Sequence, residues 1–477
     1  MSPHPNGRRS FLTTVGSASL LAGCGGAGRV IPECRDPSDE ALVARTRVGV
    51  AAIDADVAAL PASEAFPLGV ASGDATAEGI VLWTRYDGRA RLGLMVWRED
   101  GDAVAAFRVV PADGGFAHVF VDDLEPGERY RYAWLELDGG EARARSDVGR
   151  FRTALPEDAR TPLQLAAFSC VSWKREHDAL ARAGREGEQD LLLLLGDTSY
   201  NDGAETLCEY RHTWGQTLSS EGWRLVRARS SLLATWDDHE VANDFCGPDV
   251  SRAQIAAGRR AFFEHQPVRR FRNAPDRIWR SRRWGRTAEI FVLDCRGERV
   301  CRTRGRPDAT MISETQRAWL QRGLAESPCA FKIVMTSVPI ADVPVFFETK
   351  AHDRWEAWAT QRRALLRFVE RERIDGVFWI GGDLHIASAG RVGARPDDPG
   401  WGQLEVLAGP GAQQGSPFTE WMGPPQYDFA DPRSNVTTFD LDPETLQVRV
   451  RFVLASGEAM ADLTYDLSGP VHLVRRR

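Results

Sequence analysis

The feature that most restricts the fold is a series of short, uninterrupted apolar runs that begins after Pro156. Continuous rather than alternating apolar strands are typical of sheets that are covered on both faces. Amphipathic stretches between these runs, such as Ser313–Leu324 and Arg354–Arg371, indicate helices. We therefore predict an α/β domain over residues 156–477, with strands at Leu163–Phe168, Leu191–Leu195, Leu232–Trp236, Ile290–Leu293, Ile333–Thr336 and Val377–Ile380.

Residues 63–155 have a different rhythm, with short alternating strands separated by Asp-Gly and Pro-Gly turns. The segment Leu124–Tyr132 resembles the tyrosine corner of a fibronectin type III-like sandwich. This region is therefore predicted to be a small β-sandwich, and residues 25–62 before it are predicted to be a tether.

Four of the apolar runs end in an abrupt polar cluster. In α/β sheets, ligands bind where the carboxyl ends of the strands open into loops, so these clusters are expected to converge. Taken singly, each has a plain structural explanation, such as a turn or a buried thiol. The four clusters are Ser169-Cys170, Gly196-Asp197-Thr198-Ser199-Tyr200, Asp237-Asp238-His239-Glu240 and Gly381-Gly382-Asp383-Leu384-His385.

The residue types in these clusters predict two adjacent metal sites. Asp197 can bridge two cations about 3.5–4 Å apart, the usual spacing of two-metal phosphoryl-transfer centres. The phenol of Tyr200 and the thiol of Cys170 stay deprotonated only on a strongly Lewis-acidic ion, which favours Fe(3+). His385 is expected to complete this first site.

The second site is expected to use Asp197 together with Asp238 and Asp383. These residues offer oxygen donors alone, which favours a hard cation. Ca(2+) is preferred, with Mg or Mn behind it.

Two further residues are candidates for direct roles in catalysis. His239 follows a predicted ligand, and we expect it to hydrogen-bond the phosphoryl group or protonate the leaving oxygen; the alternative is that it only orients Asp238. Arg211 is a candidate phosphate clamp, because a guanidinium group matches phosphate oxygens bidentately. Asp237, Glu240 and Asn243 are expected to support the ligands or cap a helix.

The combination Gly-Asp-x-x-Tyr and Gly-Asp-x-His resembles the metallophosphoesterase pattern of purple acid phosphatases, with three replacements. Cys170 stands where those enzymes carry Asp, Asp238 where they carry Asn, and Asp383 where they carry His. This altered set, with Trp236–Glu240, is similar to the alkaline phosphatase D (PhoD-like) family over about residues 66–386. Other family-like segments are Tyr210-Arg211, Phe263–Arg269, Leu293–Arg296 and Ser313–Leu320.

The resemblance implies a four-layer α/β/β/α fold and an iron–calcium centre that cleaves phosphomonoesters, and often phosphodiesters, at alkaline pH. It implies iron on Cys170, Asp197, Tyr200 and His385, and calcium on Asp197, Asp238 and Asp383. Thr198 stands where the family's loop is expected to carry tyrosine. The insertions that carry Cys208 and Cys246, beside two of the motifs, are also unusual for the family. The likeness fades after Gly390. These departures leave substrate preference open.

Residues 1–24 are predicted to be an export signal. Arg8-Arg9 is a twin-arginine pair followed by a short apolar stretch, and Leu21–Cys24 resembles a lipoprotein box. The prediction is export by the twin-arginine machinery to the periplasm or cell surface, with a lipid anchor on Cys24. A plain cleavage site nearby is the alternative.

The chain has eight cysteines. With Cys24 and Cys170 set aside, six remain, which permits up to three disulfides without fixing their connectivity. Cys295 and Cys301 are close enough in sequence for a small loop, and Cys208 and Cys246 each follow a predicted metal loop. Buried reduced thiols are the alternative.

A formal charge of −7 is mild for 477 residues and indicates no specific nucleic-acid site. The expected substrates are small phosphate esters or phospholipids. Three alternatives remain at this point: a phospholipase D-like phosphodiesterase, an inactive surface-binding lipoprotein on the same fold, and a redox enzyme. The last lacks a recognisable electron-transfer partner site.

Overall fold

The computed structural model describes residues 55–101, 103–246, 250–343 and 353–477. The predicted signal at 1–24, the anchor on Cys24 and most of the predicted tether lie outside these residues. The first eight strands are β1 Val70–Thr76, β2 Gly79–Arg85, β3 Arg91–Arg98, β4 Ala103–Val109, β5 Phe116–Val121, β6 Arg129–Asp138, β7 Glu141–Arg145 and β8 Gly149–Arg152.

The rest of the described chain combines further strands with helices. The strands are β9 Leu163–Phe168, β10 Leu191–Leu195, β11 Ser231–Thr235, β12 Arg280–Trp284, β13 Ala288–Val292, β14 Phe331–Met335, β15 Val377–Gly381, β16 Ala387–Arg391, β17 Leu404–Leu407, β18 Tyr427–Asp431, β19 Val436–Asp442, β20 Gln447–Val453, β21 Ala459–Asp466 and β22 His472–Arg476. The helices are α1 Asp178–Glu186, α2 Leu207–Leu218, α3 Glu221–Arg229, α4 Arg252–His265, α5 Glu314–Glu326 and α6 Ala359–Arg371.

Three sheets organise these strands. The ten-stranded sheet has the order β22-β21-β20-β19-β9-β10-β11-β1-β2-β5, and the seven-stranded sheet has the order β12-β13-β14-β15-β17-β16-β18. In the five-stranded sheet, β4-β3-β6-β7 follow one another and β8 also pairs with β6. Strands β9, β10 and β11 pair in parallel, as do β13, β14 and β15, so each large sheet has a parallel centre.

The two large sheets pack face to face between layers of helices. Along β10, Leu191, Leu193 and Leu195 join the core between the sheets, whereas Leu192 and Leu194 join the core beneath α1–α4. Because successive strand side chains point to opposite faces, a run of leucines fills both cores at once. Helices α5 and α6 cover the outer face of the seven-stranded sheet. The predicted four-layer α/β/β/α fold is confirmed.

The N-terminal region forms the predicted sandwich and also extends the ten-stranded sheet. Strands β1, β2 and β5 make one of its layers, and β1 pairs in parallel with β11. The amide of Glu125 donates to Tyr130 Oη at 2.9 Å, which is the hydrogen bond of a tyrosine corner. This shared sheet joins the two regions, and the boundary placed at residue 155 stays a prediction.

The described end of the predicted tether contacts the five-stranded sheet. Arg145 Nε donates to the carbonyl of Val57 at 3.0 Å, and Ala62 bridges to Arg145. Among the residues that the structure describes, no helix is long and apolar enough to cross a membrane.

The predicted elements differ from the observed ones mainly at their ends. The helix predicted over Arg354–Arg371 begins at Ala359, because a 3-10 turn over Trp355–Trp358 comes first. That turn is fixed by buried indoles, and Trp355 Nε1 donates to Thr336 Oγ1 at 3.0 Å.

Candidate metal centre

The four polar clusters follow parallel strands at the same edge of the fold. Cys170 lies two residues beyond β9, Asp197 two beyond β10, Asp238 three beyond β11 and Asp383 two beyond β15. Because the carboxyl ends of parallel strands open on one side, the fold brings together residues that lie more than two hundred positions apart.

The backbone at these positions is unusual. Cys170, Asp197, Asp383 and His385 have φ values of 55°, 51°, 70° and 56°, in the left-handed region that non-glycine residues rarely adopt. Each such residue costs on the order of 1–3 kcal/mol, and such strain concentrates at functional sites. Four of the six predicted ligands have this strained backbone, which indicates a functional site at these loops.

The glycine before each Gly-Asp aspartate has a packing reason. A Cβ added to Gly196 would lie 2.5 Å from Asp237 Cβ, and one added to Gly382 would lie 2.5 Å from Ser169 Oγ. Glycine is therefore what allows neighbouring metal loops to touch.

One group of possible ligands combines sulfur, oxygen and nitrogen. Ligand atoms of Cys170, Asp197 and His385 all lie within 4.8 Å of one another. Cys170 Sγ is 3.5 Å from Asp197 Oδ2, and Tyr200 Oη is 3.1 Å from His385 Nε2. The four residues predicted for the iron site are therefore neighbours.

A second group is rich in carboxylates. Asp197, Asp238 and His239 form one cluster within 4.8 Å, and Asp237, Asp238 and Asp383 form another. Asp197 and Asp238 thus connect the two groups. This is the arrangement expected for carboxylates that share two ions.

Two buried oxygen atoms test whether cations fit here. Asp197 Oδ1 and Asp238 Oδ1 are buried and accept no hydrogen bond from any residue that the structure describes. A buried carboxylate oxygen without a donor is strongly unfavourable unless a cation or another partner meets it. Metal ions at this position would satisfy both atoms.

The electrostatics of the cluster lead to the same conclusion. Burial, followed by repulsion from neighbouring carboxylates, raises the pKa of Asp383 well above its ordinary value. Burial and the charge of Asp197 raise the pKa of Cys170 and Tyr200. A bound cation has the opposite effect on each of these groups and would keep them ionised.

Arg296 is the principal positive charge that the chain itself supplies. Its guanidinium donates to both oxygens of Asp237, at 2.5 and 2.9 Å, and to Asp353 at 2.7 Å. It also lies 3.5 Å from Asp238 Oδ1 and 3.7 Å from Asp383 Oδ1. Burial opposes ionisation of Asp238, but Arg296, His239, the amide of Asp244 and Arg299 together outweigh it and lower the pKa of Asp238 below its ordinary value.

Glu240 fixes the loops rather than joining the ligand set. Its carboxyl group accepts hydrogen bonds from the amides of Asp197 at 3.0 Å, Thr198 at 2.6 Å and Asp237 at 2.7 Å. Burial raises the pKa of Glu240 to about 7, although these amides oppose the shift. One side chain thereby fixes two ligand loops relative to each other.

His239 is held from two sides. Its Nδ1 lies 2.8 Å from Asp202 Oδ2, and its ring packs on Tyr200 with centroids 4.0 Å apart. Burial lowers the pKa of His239, but Asp197 and the hydrogen bond to Asp202 outweigh it and raise the pKa to about 10. The amide of Asn243, which we expected to play a supporting role, donates to Asp202 at 2.8 Å.

The structure does not support the clamp proposed for Arg211. Its guanidinium donates to both oxygens of Glu264, at 2.6 and 2.7 Å, and lies 3.5 Å from Asp113. Bidentate pairing with the fully buried Glu264 uses the donors that a phosphate would need. Arg211 therefore acts in a carboxylate pair between α2 and α4.

Sequence reasoning did not identify three residues that contact the predicted groups. Arg296 pairs with carboxylates of the cluster, Asp353 accepts a hydrogen bond from Arg296, and Asp202 holds His239. Arg296 carried a weak signal, because it follows β13 in a segment already noted as family-like. Asp202 lies only two residues beyond Tyr200, within the same loop.

One disulfide pairs two of the cysteines in the described residues. Cys246 forms a disulfide with Cys301, 55 residues away, and Cys208 is disulfide-bonded as well. Cys295 is a buried free thiol, so the small loop considered between Cys295 and Cys301 does not form. Cys329 is a second buried thiol, as the alternative of reduced cysteines expected.

Comparison with known proteins agrees with this geometry. The PhoD-like phosphatase family model matches residues 165–423, and the model of the PhoD-like phosphatase N-terminal domain matches residues 51–155. Alkaline phosphatase D of Bacillus subtilis (strain 168) is 26% identical over 406 residues, which cover 72% of this chain and 68% of that protein.

Two solved structures share the fold. A structure of PhoD aligns with a TM-score of 0.74 at 22% identity and covers 87% of this chain and 92% of that chain. The purple acid phosphatase PPD1 from yellow lupin (Lupinus luteus) seeds aligns with a TM-score of 0.60 at 12% identity, covering 82% and 72%. On the strength of the family model, which spans more than half of its length, this chain belongs to the PhoD-like phosphatase family and is a phosphoric ester hydrolase.

Proposed function

We propose that this hydrolase is an exported phosphatase that acts on phosphomonoesters, and also on diesters, through a binuclear iron–calcium centre. The observation that carries the proposal is the pair of buried oxygens, Asp197 Oδ1 and Asp238 Oδ1, that accept no hydrogen bond within the described chain, although Arg296 lies 3.5 Å from the second. They lie inside a cluster whose residue types are those of metal ligands.

The donor chemistry supports a different ion on each side. Iron fits Cys170, Asp197, Tyr200 and His385, because thiolate and phenolate need a strong Lewis acid. Calcium fits the oxygen-only set of Asp197, Asp238 and Asp383, with magnesium or manganese less favoured. When bound, two such cations would neutralise charge that develops on a phosphate ester during in-line displacement.

The chain's own residues would position the phosphate ester and protonate its leaving oxygen. Asp202 holds His239 at Nδ1, which leaves Nε2 free to donate to a phosphoryl oxygen or to the leaving oxygen. Packing of the imidazole on Tyr200 fixes the plane of the ring. Arg296 forms ion pairs with Asp237 and Asp353. The carboxylates of Asp197, Asp238 and Asp383 would then be the ones to bind the cations.

Export is supported by the cysteines. The Cys246–Cys301 disulfide is of the kind that persists in an oxidising compartment. It agrees with the proposed twin-arginine signal and with delivery to the periplasm or cell surface. Lipidation at Cys24 would place the enzyme near phospholipids as well as small phosphate esters.

Visible absorption of the purified protein tests the iron assignment. Fe(3+) bound by phenolate and thiolate should give a charge-transfer band, and Tyr200→Phe should bleach or shift it. Tyr86→Phe is the matched control, because Tyr86 hydrogen-bonds Glu136 in the sandwich region. A band that Tyr200→Phe leaves unchanged would remove Tyr200 from the centre.

Turnover of three substrates tests the reaction. Hydrolysis of a nitrophenyl monoester is expected, and comparison with a bis-nitrophenyl diester and phosphatidylcholine ranks monoesterase against phospholipase D-like activity. Failure to release phosphate from the monoester, with the metals bound, would contradict the phosphatase proposal.

A further inference from the structure

Two neighbouring strands of the five-stranded sheet carry four arginines opposite one another. In the antiparallel pair of β6 and β8, Arg129 lies opposite Arg152 and Arg131 lies opposite Arg150. Like charges directly opposite across a sheet are destabilising. We call these four residues the arginine block.

The alternation of side chains along β6 and β8 fixes the face on which the arginine block lies. Tyr130 and Phe151, which alternate with the arginines, are buried and stack with ring centroids 5.2 Å apart. Because side chains alternate with a period of two, burying these rings places all four arginines on the opposite face. The register that buries the two rings therefore also places the arginines opposite one another, where they repel.

Neighbouring carboxylates compensate part of this charge. The buried Asp190 accepts from Arg129 at 3.1 Å and from Arg152 at 3.0 Å. Among the residues that the structure places, the partner of Arg131 is distant, with 3.9 Å between its Nε and a carboxylate oxygen of Glu99.

Arg150 is left with a surplus positive charge. Within the ranges that the structure describes, it has no hydrogen bond or ion pair of its own. Burial, then repulsion from Arg131 and Arg229, lowers the pKa of Arg150. Glu99 and Glu188 oppose this shift without outweighing it, so the surroundings of Arg150 remain short of negative charge.

A cavity of about 250 Å³ lies against the arginine block. Arg129, Arg150 and Arg152 line it from the five-stranded sheet, and Arg229 with Ser230 lines it from the end of α3. Glu99, Glu188 and Gln189 complete the wall together with Asp190.

Two buried donors of this wall also lack an acceptor. Gln189 is 8% exposed and Ser230 is 2% exposed. Gln189 Nε2 and Ser230 Oγ have no hydrogen-bond partner among the described residues. Buried donors are normally satisfied, so both indicate a missing acceptor.

We propose that this cavity binds hydrogenphosphate. The guanidinium of Arg150 would bind two of its oxygens, and Gln189 and Ser230 would donate to others. Glu99 or Glu188 would accept the hydrogen bond from the protonated oxygen. Sulfate is fully deprotonated at neutral pH and cannot donate to a carboxylate, so the cavity selects phosphate over sulfate.

The cavity is separate from the metal centre. Gln189 and Asp190 precede β10 and Ser230 precedes β11, whereas the metal ligands follow those strands. A strand of five residues spans roughly 16 Å, so the two sites lie at opposite edges of the ten-stranded sheet. A phosphate here would bridge β8 to the loops that enter β10 and β11, and a phosphatase releases this same anion as product.

Titration calorimetry of the full-length, metal-loaded protein with inorganic phosphate tests the proposal. The parent should bind two equivalents, one at the metal centre and one at the arginine block. Arg150→Gln should lose the second or weaken it by at least about tenfold, the loss expected for one charged hydrogen-bond pair. Arg143→Gln, on the neighbouring strand β7, should retain both equivalents.

Three further readouts separate binding from a structural role. Arg150→Gln should leave phosphate inhibition of nitrophenyl phosphate turnover unchanged, since that inhibition reports the metal centre. Its melting temperature without phosphate should equal or exceed that of the parent, because a repulsion is relieved, but it should gain less from added phosphate. Ser230→Ala, which removes an unpartnered hydroxyl, should weaken the second equivalent while preserving the fold.

Two results would overturn the inference. A second equivalent that binds equally well to Arg150→Gln and the parent would place it elsewhere. Sulfate binding as tightly as phosphate would remove the role given to Glu99 and Glu188.

Discussion

The two edges of the ten-stranded sheet carry opposite surpluses of charge. At the carboxyl ends of β10 and β11, Asp197, Asp237 and Asp238 crowd together near the buried guanidinium of Arg296. At the amino ends of the same strands, arginines of β6 and β8 outnumber the carboxylates that pair with them. We propose a counter-ion at each edge, a cation at the carboxyl edge and an anion at the amino edge.

The edges differ in how the backbone holds the charges. At the carboxyl edge, Cys170, Asp197 and Asp383 occupy left-handed conformations that aim side chains inward from loops. At the amino edge, the arginines stand on regular strands and are placed by the burial of Tyr130 and Phe151. Strained backbone therefore occurs at the proposed metal centre, whereas the proposed anion site is built on regular strands.

Removal of the shared carboxylate should have the largest effect. Asp197→Asn is expected to reduce turnover by well over about 100-fold, the upper range for residues that merely orient a ligand. The reason is that Asp197 belongs to both metal clusters. Steady-state hydrolysis of nitrophenyl phosphate measures this, and Asp56→Asn, at an exposed position, serves as the control.

Removal of Arg296 tests the balance of charge at the carboxyl edge. Arg296→Leu is expected to lower the free energy of unfolding by about 3–5 kcal/mol, because it leaves buried carboxylates unpaired. Chemical denaturation measures the loss, and Arg306→Leu, which breaks an exposed pair with Asp308, should cost at most about 1 kcal/mol. Arg150→Gln, at the amino edge, should not lower the free energy of unfolding. A similar loss of stability in Arg296→Leu and Arg150→Gln would contradict the difference between the two edges.

Glu405 provides a buried carboxyl group away from both edges. It accepts from the amide of Ile340 at 2.6 Å, and burial raises its pKa to about 7 from an ordinary value of 4.5. Between pH 4.5 and 7 the unfolded chain releases this proton and the folded chain keeps it. The free energy of unfolding should therefore fall as pH rises through this window, by up to about 3 kcal/mol.

Denaturation at pH 5 and pH 8 measures this effect. Glu405→Gln should remove the part of the decline that Glu405 contributes, because its amide oxygen can still accept from Ile340 but carries no charge. Glu240, whose pKa is also raised to about 7, should continue to contribute. Glu326→Gln, at an exposed position of α5, should leave the decline in place. An identical pH profile for parent and Glu405→Gln would show that Glu405 is not the titrating group.

The smallest effect is expected from the residue that orients His239. Asp202→Asn should lower kcat by about 10- to 100-fold with little change in metal content, as is typical of residues that orient an active group. Asp202→Glu should restore part of the activity. If kcat is unaffected while KM rises, His239 contributes to substrate binding rather than to the reaction.

Much of the fold followed from simple patterns. The leucine run of β10 was predicted to the residue, because a strand buried on both faces has no polar position to blur its ends. The metal cluster followed from residue types at strand ends. Its convergence could be expected from topology alone, since parallel strands open at a shared edge.

Other features depend on tertiary contacts that a single sequence does not reveal. Arginine is so frequent in this chain that Arg296 did not stand out, and Arg211 was predicted to clamp phosphate although its guanidinium pairs with Glu264. Cys246 and Cys301 are 55 residues apart, and spacing offers no reason to pair them. The arginine block was missed because β6 and β8 had to be paired before its charges could be seen to oppose one another.

The most direct test of the central claim is the metal content of the purified full-length protein, measured by elemental analysis. Two metal ions per chain are expected, one of them iron, and Asp197→Asn should lose at least one of them. Fewer than one ion per active chain, or an unchanged content in Asp197→Asn, would contradict a centre built on these side chains.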